Sequence, residues 1–290
     1  MVANSLTVQG RRASSRAIGA AVLCAFFVSG TCGLLHEIVW MRLLRHVMGN
    51  DTIAITTVLC AFMGGLALGS YVGGRVIDRR GHQALLLFAI LEGTIGLYCL
   101  VLPFLIRLTE PIYGLIYNHM QTSPYVFSLI RFFFCGLLLL VPATFMGATL
   151  PVLTRFFVRS LQQVGWPVGM LYGINTFGAV VGTAATGFLL IPKLGVQKTI
   201  YVGCLLNFAV CVAGLALFRR TRTWAGEDAK TVEAGTGGGG RGRRLSDHLM
   251  AQTRPPLVSA GRCLWRCWWA MGCPDSRHWS TRSPGRALFR

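Results

Sequence analysis

Charge is what this chain has least of. Only 13% of its 290 residues are Asp, Glu, Lys or Arg, while 53% are hydrophobic and the mean hydropathy is +0.55. So sparse a set of charges cannot solvate the surface of a soluble globular domain, and an integral membrane protein is expected instead. Acidic residues are scarcer still, 10 against 28 Lys and Arg, for a net charge of +18. In a soluble protein that excess would suggest a nucleic-acid partner. Half of it, however, lies past Phe218, where 14 Lys and Arg face 5 Asp and Glu for a net of +9. The remainder falls mostly between apolar runs, where it reports topology, so no nucleic-acid partner is expected.

Several chemistries lack their residues. Seven of the ten cysteines (Cys24, Cys32, Cys60, Cys99, Cys135, Cys204 and Cys211) sit singly inside apolar runs. A thiol there behaves as a small hydrophobe, and no disulfide framework is expected. Cys263, Cys267, Cys273 and His278 match no standard zinc spacing, so no metal is expected. Gly237–Gly240 runs into Arg241-Gly-Arg-Arg with no strand before it or helix after it, which is no nucleotide loop, and no cofactor is expected. Neither a Ser/His/Asp nor a Cys/His nor a paired-carboxylate constellation stands out, so no catalysis is expected of this chain.

What the chain has instead is long apolar runs. A helix needs about 20 apolar residues to cross a bilayer, and helices or closed barrels alone satisfy their own backbone there. Six such runs are present: Ala17–Ile38, Ile53–Val72, Ala84–Ile106, Tyr125–Met146, Val168–Ile191 and Thr199–Phe218. They predict an all-α bundle of six spans over 17–218, embedded in a lipid bilayer, between a cytoplasmic segment 1–16 and a disordered basic tail 219–290. The first run is too long for a cleavable signal peptide and lacks a small-residue cleavage site, so a retained anchor is expected. Eleven basic residues (Arg11, Arg12, Arg16, Arg75, Arg79, Arg80, Arg155, Arg159, Arg219, Arg220, Arg222) flank one side. Five (Arg42, Arg45, Arg107, Lys193, Lys198) flank the other. That bias predicts a multi-pass protein of the plasma or inner membrane with both termini in the cytoplasm, and makes Leu108–Ser123 an outer loop.

Polar side chains inside the runs are the candidates for function, because each costs a few kcal/mol to insert. Glu92 lies well inside the third run, as a buried carboxyl that ties helices together or as a proton or cation site. Arg131 near the outer end of the fourth either snorkels to the interface or pairs with Glu92 or Glu37. Asn175 in the fifth can bond across helices. Glu37 and Arg42, with His36 and Arg45 nearby, read as an ion-pair cluster where the first run ends. Gly65, Gly69 and Gly73 lie four apart on the second span, and the fifth carries Gly169, Gly173, Gly178 and Gly182. Such small faces let helix backbones approach closely.

Gly74-Arg-Val-Ile-Asp78-Arg79-Arg80-Gly81, on the turn after the second span, resembles the loop signature of the major facilitator superfamily, with His82-Gln83 in place of the usual basic pair. A wider resemblance covers most of Ala17–Phe218. Its motifs are Ser29-Gly30, Glu37-Ile-Val-Trp40-Met-Arg42, Gly65-Leu-Ala-Leu-Gly69-Ser, Pro142-Ala-Thr-Phe-Met146-Gly-Ala-Thr-Leu-Pro151 and Tyr172-Gly-Ile-Asn175-Thr-Phe-Gly178. Together they resemble the membrane region of spermidine-synthase-like integral membrane proteins, the fused facilitator/spermidine synthases, with His36 where that pattern has tyrosine. The resemblance implies half of a facilitator bundle, which would work against a second six-helix half or a second copy. It further implies a transport-like or anchoring role toward polyamine or another small cation. It also implies a cytoplasmic aminopropyltransferase domain, which this sequence does not contain.

The terminal stretch Arg262–Arg290 mixes Trp265, Trp268, Trp269 and Trp279 with three Cys and many Arg, a composition of neither linker nor domain. It reads as translation out of frame, which would make the chain a truncated member or a nonfunctional remnant. With permitted codons, Trp279–Leu288 back-translates so that a shifted frame reads valine-tyrosine-glutamate-isoleucine-alanine-tryptophan-serine-arginine, a second copy of the Leu35–Arg42 pattern. Sequencing the gene checks this: a single-base shift should open a long hydrophobic frame, and the absence of one refutes the idea.

Overall fold

The computed structural model describes residues 2–49, 51–79, 83–120, 124–158 and 165–235, and all regular structure among them is helical. Six helices succeed one another among these residues: α1 (Val2–Met48), α2 (Asp51–Arg79), α3 (Ala84–Met120), α4 (Pro124–Phe157), α5 (Gly165–Ala185) and α6 (Ile191–Gly235), with one π-helical stretch, Thr186–Leu190, between α5 and α6. By length and apolarity, five segments could cross a membrane: Ala17–Met48, Asp51–Arg79, Ala84–Thr109, Val126–Phe157 and Gly165–Arg222. The fifth and sixth predicted runs thus fall within one long helical segment. Its single non-helical backbone is Gly195 (φ 78, ψ 171), a left-handed conformation that glycine adopts without a Cβ clash.

Two expectations change, and one segment with no predicted structure gains one. Leu108–Ser123 is not a loop as far as it is described, since α3 stays helical to Met120 through Pro103 and Pro111. The tail is not disordered from residue 219 onward, because α6 runs on to Gly235. The polar segment before Ala17 is helical from Val2. In each case apolar periodicity marks the membrane-compatible part of a helix, and the helix itself continues into polar sequence, where side chains and backbone ends can meet water. The clusters of the terminal stretch and the Gly237–Gly240 run lie outside the described residues.

Helix contacts track the small residues. Along α2, Gly65, Gly69 and Gly73 lie against Ala143, Thr144 and Ala148 of α4, and a methyl at Gly69 would collide with the Thr144 carbonyl. Reciprocally, Gly147 of α4 lies on the Leu66 carbonyl, while the Ser70 hydroxyl donates to the Gly147 carbonyl at 3.1 Å. On α5, Gly178 and Gly182 rest on the Phe27 and Thr31 carbonyls of α1. Gly169 and Gly173 do not share that contact, and a Cβ at either would meet nothing within 4 Å. The reason is spacing: Gly173 and Gly178 are five apart, so the glycines change face in mid-helix. Large side chains such as Phe104, Phe133, Phe188 and Leu205 point outward, as suits helices surrounded by lipid.

Gly69→Val should therefore push α2 off α4 at a cost of about 1–3 kcal/mol or more. Gly173→Ala, on the open face, should be neutral or stabilise by up to about 1 kcal/mol. Thermal unfolding of the two purified variants in detergent, measured as loss of the monodisperse species, separates them.

Candidate functional site

Where α1 meets α2, the chain must reverse. Gly49, with φ 67, closes α1 by donating its N–H to the Arg45 carbonyl at 3.1 Å, an αL cap that favours glycine. Arg45 then pairs with Asp51 of the first turn of α2 at 2.7 Å, both side chains more than half exposed. The predicted Glu37–Arg42 cluster is not formed. Residues five apart lie about 140° apart around a helix, so Arg42 stays exposed while Glu37 and His36 turn inward, 4% and 0% exposed. Arg45, Asp51, His46, Gly49 and Thr52 line an open depression of about 620 Å³ at this turn.

Arg131 pairs with neither Glu92 nor Glu37. Its guanidinium lies 4.1 Å from the Phe127 ring and 5.5 Å from that of Tyr113, a cation–π seat between α4 and the end of α3. Tyr113 completes the group, its hydroxyl 3.5 Å from the Cys135 sulfur, and burial pushes its phenol above its ordinary pKa. Asn175 spans α5 and α1, donating from Nδ2 to the Phe26 carbonyl at 3.2 Å, with Gly30 closed against its own backbone. Of the loop motif expected on the turn after the second span, Gly74, Asp78 and Arg79 lie instead within the end of α2, Gly74 buried, Asp78 half-buried and engaged, and Arg79 exposed, while Gly81 lies outside the described residues.

The deepest polar group is built around Glu92. Helices α1 and α3 both pack along α6 and touch each other little. Across that seam the Ser29 hydroxyl of α1 donates to Glu92 Oε1 of α3 at 2.5 Å, and Phe26 meets Phe88 edge-on beside it. Glu92 is 1% exposed. No lysine, arginine or histidine among the described residues pairs with it. Small residues bring α6 close: a methyl at Gly93 would stand 3.0 Å from the Cys211 sulfur, and one at Gly96 would stand 3.1 Å from the Asn207 Cβ. Asn207, 1% exposed, leaves its Oδ1 without a donor among the described residues. One turn farther along α6, Gly203 faces the ring of His36, which stacks on Trp40 and whose two nitrogens are likewise buried without partners. The Cys211 sulfur and the Cys204 carbonyl lie in the same seam, opposite Gly93 and Gly96. Among the described residues, no His, Cys, Asp and Glu group could hold a metal ion.

Of these groups, the sequence by itself singles out Glu92, as a membrane-embedded carboxyl. Ser29 enters there only within a motif, and Asn207 escapes notice, although a lone asparagine among Leu205, Leu206 and Phe208 is itself a signal.

The chain is similar to relatives of one name. It is 25% identical over 200 residues to "Polyamine aminopropyltransferase 2" of Ralstonia nicotianae, covering 69% of this chain and 36% of that one. It is 30% identical over 210 residues to "Polyamine aminopropyltransferase 2" of Streptomyces coelicolor, covering 70% of this chain and 35% of the relative. "Polyamine aminopropyltransferase 1" of Streptomyces coelicolor is 22% identical over 203 residues. The matched part is thus about a third of the length of these curated relatives. No protein-family model matches the chain, and no solved structure matches it. The expectation that the chain is not an enzyme is overturned by these names, since each is that of a transferase. That expectation rests on motifs absent from the sequence, and such absences say nothing about chemistry built from unrecognised residues or from the parts of the relatives that the match does not reach.

Removing the donor at the seam should be costlier than exchanging the carboxyl for an amide. Ser29→Ala leaves Glu92 buried without its partner and should destabilise by about 1–3 kcal/mol. Glu92→Gln keeps an acceptor for Ser29 and should cost less, and melting temperatures of the two variants in the same detergent give the order.

Proposed function

We propose that this chain is the membrane-embedded helical module of a polyamine aminopropyltransferase-like protein, holding aminopropyl-transfer chemistry at the bilayer. The observation that carries this reading is the coincidence, in one chain, of membrane-compatible helices with similarity over 69% of its length to relatives named polyamine aminopropyltransferases. On this reading the left-handed break at Gly195 divides the long last segment into two crossings, giving six spans over 17–218 with 1–16 and the basic tail on the cytoplasmic side. Six spans would correspond to half of a facilitator-type bundle, and the outward apolar faces of α2, α4 and α5 would be covered by lipid and by a second six-helix half or a second copy.

A second reading, transport of polyamine or another small cation, is favoured by one feature: a carboxyl buried among three helices with no cationic side chain of the described residues beside it. Both readings are tested in the organism that carries the gene, with a tag on the chromosomal copy. The tagged protein should resist carbonate extraction from membranes and should co-purify with aminopropyl-transfer activity. If it sits in membranes without such activity but its deletion abolishes uptake of labelled polyamine, the transport reading replaces the first. Absence from membranes overturns both.

A further inference from the structure

The polar group at the seam of α1, α3 and α6 has an imbalance of hydrogen-bonding types. Its carboxyl receives one hydrogen bond, from Ser29, and a carboxylate can accept several. Asn207, on the α6 turn that packs against Gly96, offers a second oxygen that no described donor meets. His36, farther along the same seam, adds at least one ring nitrogen able to accept. Acceptors dominate and no cation of the described residues faces them. A carboxylate isolated in a low-dielectric interior is strongly disfavoured, so the site is complete only when positive charge or a proton arrives.

The geometry points to an ammonium-binding site at this seam: we propose that Glu92, Ser29 and Asn207 bind the primary ammonium group of an alkylamine. This rests on the bilayer placement of α1, α3 and α6 in the proposed function, and not on the transfer chemistry. A primary ammonium brings one positive charge and three N–H donors, which suit a carboxylate oxygen, a hydroxyl oxygen and an amide oxygen. A divalent metal does not suit it, for the described residues supply no ligand cluster. Entry lies along the contact of α1 with α3, the loosest of the three pairings, where Ser29–Glu92 and Phe26–Phe88 are the bridging contacts. Gly93 and Gly96 bring α6 against α3 beside the carboxyl, which sets Asn207 against the next turn of α3.

The test is binding to the purified full chain in lipid nanodiscs, with n-butylammonium as probe and butyltrimethylammonium, which has the same charge but no N–H, as its control. n-Butylammonium should raise the melting temperature saturably and abolish the infrared band of a protonated buried carboxyl, whereas the quaternary ion should do neither. In Glu92→Gln the affinity should fall at least tenfold, and in Asn207→Leu severalfold, with helicity and monodispersity unchanged. Equal responses to the two ions, or full affinity in Glu92→Gln, overturns the site. Should Glu92→Gln fail to fold, the comparison of the two ions on the unmodified protein still decides. Loss of binding with transfer activity intact in the tagged membranes refutes the site alone, and binding without that activity refutes the proposed function alone.

Discussion

The constraint on which this bundle depends is that apolar side chains gain nothing by leaving lipid for one another. In water, burial of Leu and Phe would hold six helices together; among lipid tails that force is absent, and close backbone approach, dispersion and interhelical hydrogen bonds must do so. The contact of α2 with α4 is built accordingly. Three glycines on one face let the helices touch along their backbones, and the Ser70 hydroxyl reaches a carbonyl across the gap. The pairing of α5 with α1 repeats the solution with Gly178, Gly182, the Thr31 hydroxyl and Asn175. Two intimate pairs result, and α6 joins the first helix to the third through Gly93, Gly96, Gly203 and Gly214.

That third junction differs from the other two in what it buries. The α2–α4 and α1–α5 contacts involve hydroxyl and amide groups that find carbonyls close by. At the α1–α3–α6 seam the polar groups are a carboxyl, an imidazole, an amide and several thiols, and a good part of their bonding capacity has no partner among the described residues. Tight packing around incompletely satisfied polar groups costs stability without strengthening the bundle. Such a seam is understandable where the unsatisfied groups meet something that comes and goes. Arg131 offers the contrast, since its charge sits on aromatic rings supplied by the protein itself.

Much of the fold was legible in the sequence because membrane insertion imposes a coarse rule. The six apolar runs fall on the five membrane-compatible segments found among the described residues, the last two of them on one segment. Helix ends were not legible: α1, α3 and α6 extend beyond their apolar cores, because hydropathy reports the solvent of a helix and not its hydrogen bonds. Glu92 announced itself as a charge among leucines. Its neighbours did not, because Ser29 and Asn207 come from helices distant in sequence, and whether a modest polar residue meets a carboxyl depends on which faces the glycines bring together. The Glu37–Arg42 cluster failed for the same geometric reason in reverse, since nearness in sequence put the two side chains on diverging faces.

The glycine pattern and the polar seam therefore constrain each other. Glycine at 93 and 96 is what lets α6 approach α3 closely enough for Asn207 to lie beside Glu92's turn, and a larger residue at either position would push away both the packing surface and the amide. Conversely, Glu92 and Ser29 hold α1 to α3 where few other contacts do. A ligand that took over the Ser29 hydrogen bond would loosen that link while leaving the α2–α4 pair untouched, whereas the α1–α5 pair shares Phe26 with the seam, its carbonyl bonded to Asn175 and its ring set against Phe88. The bundle is thus divided by its own packing into two stiff helix pairs and one polar joint. The joint lies where occupancy of a single carboxyl can alter how α1 and α3 sit on α6.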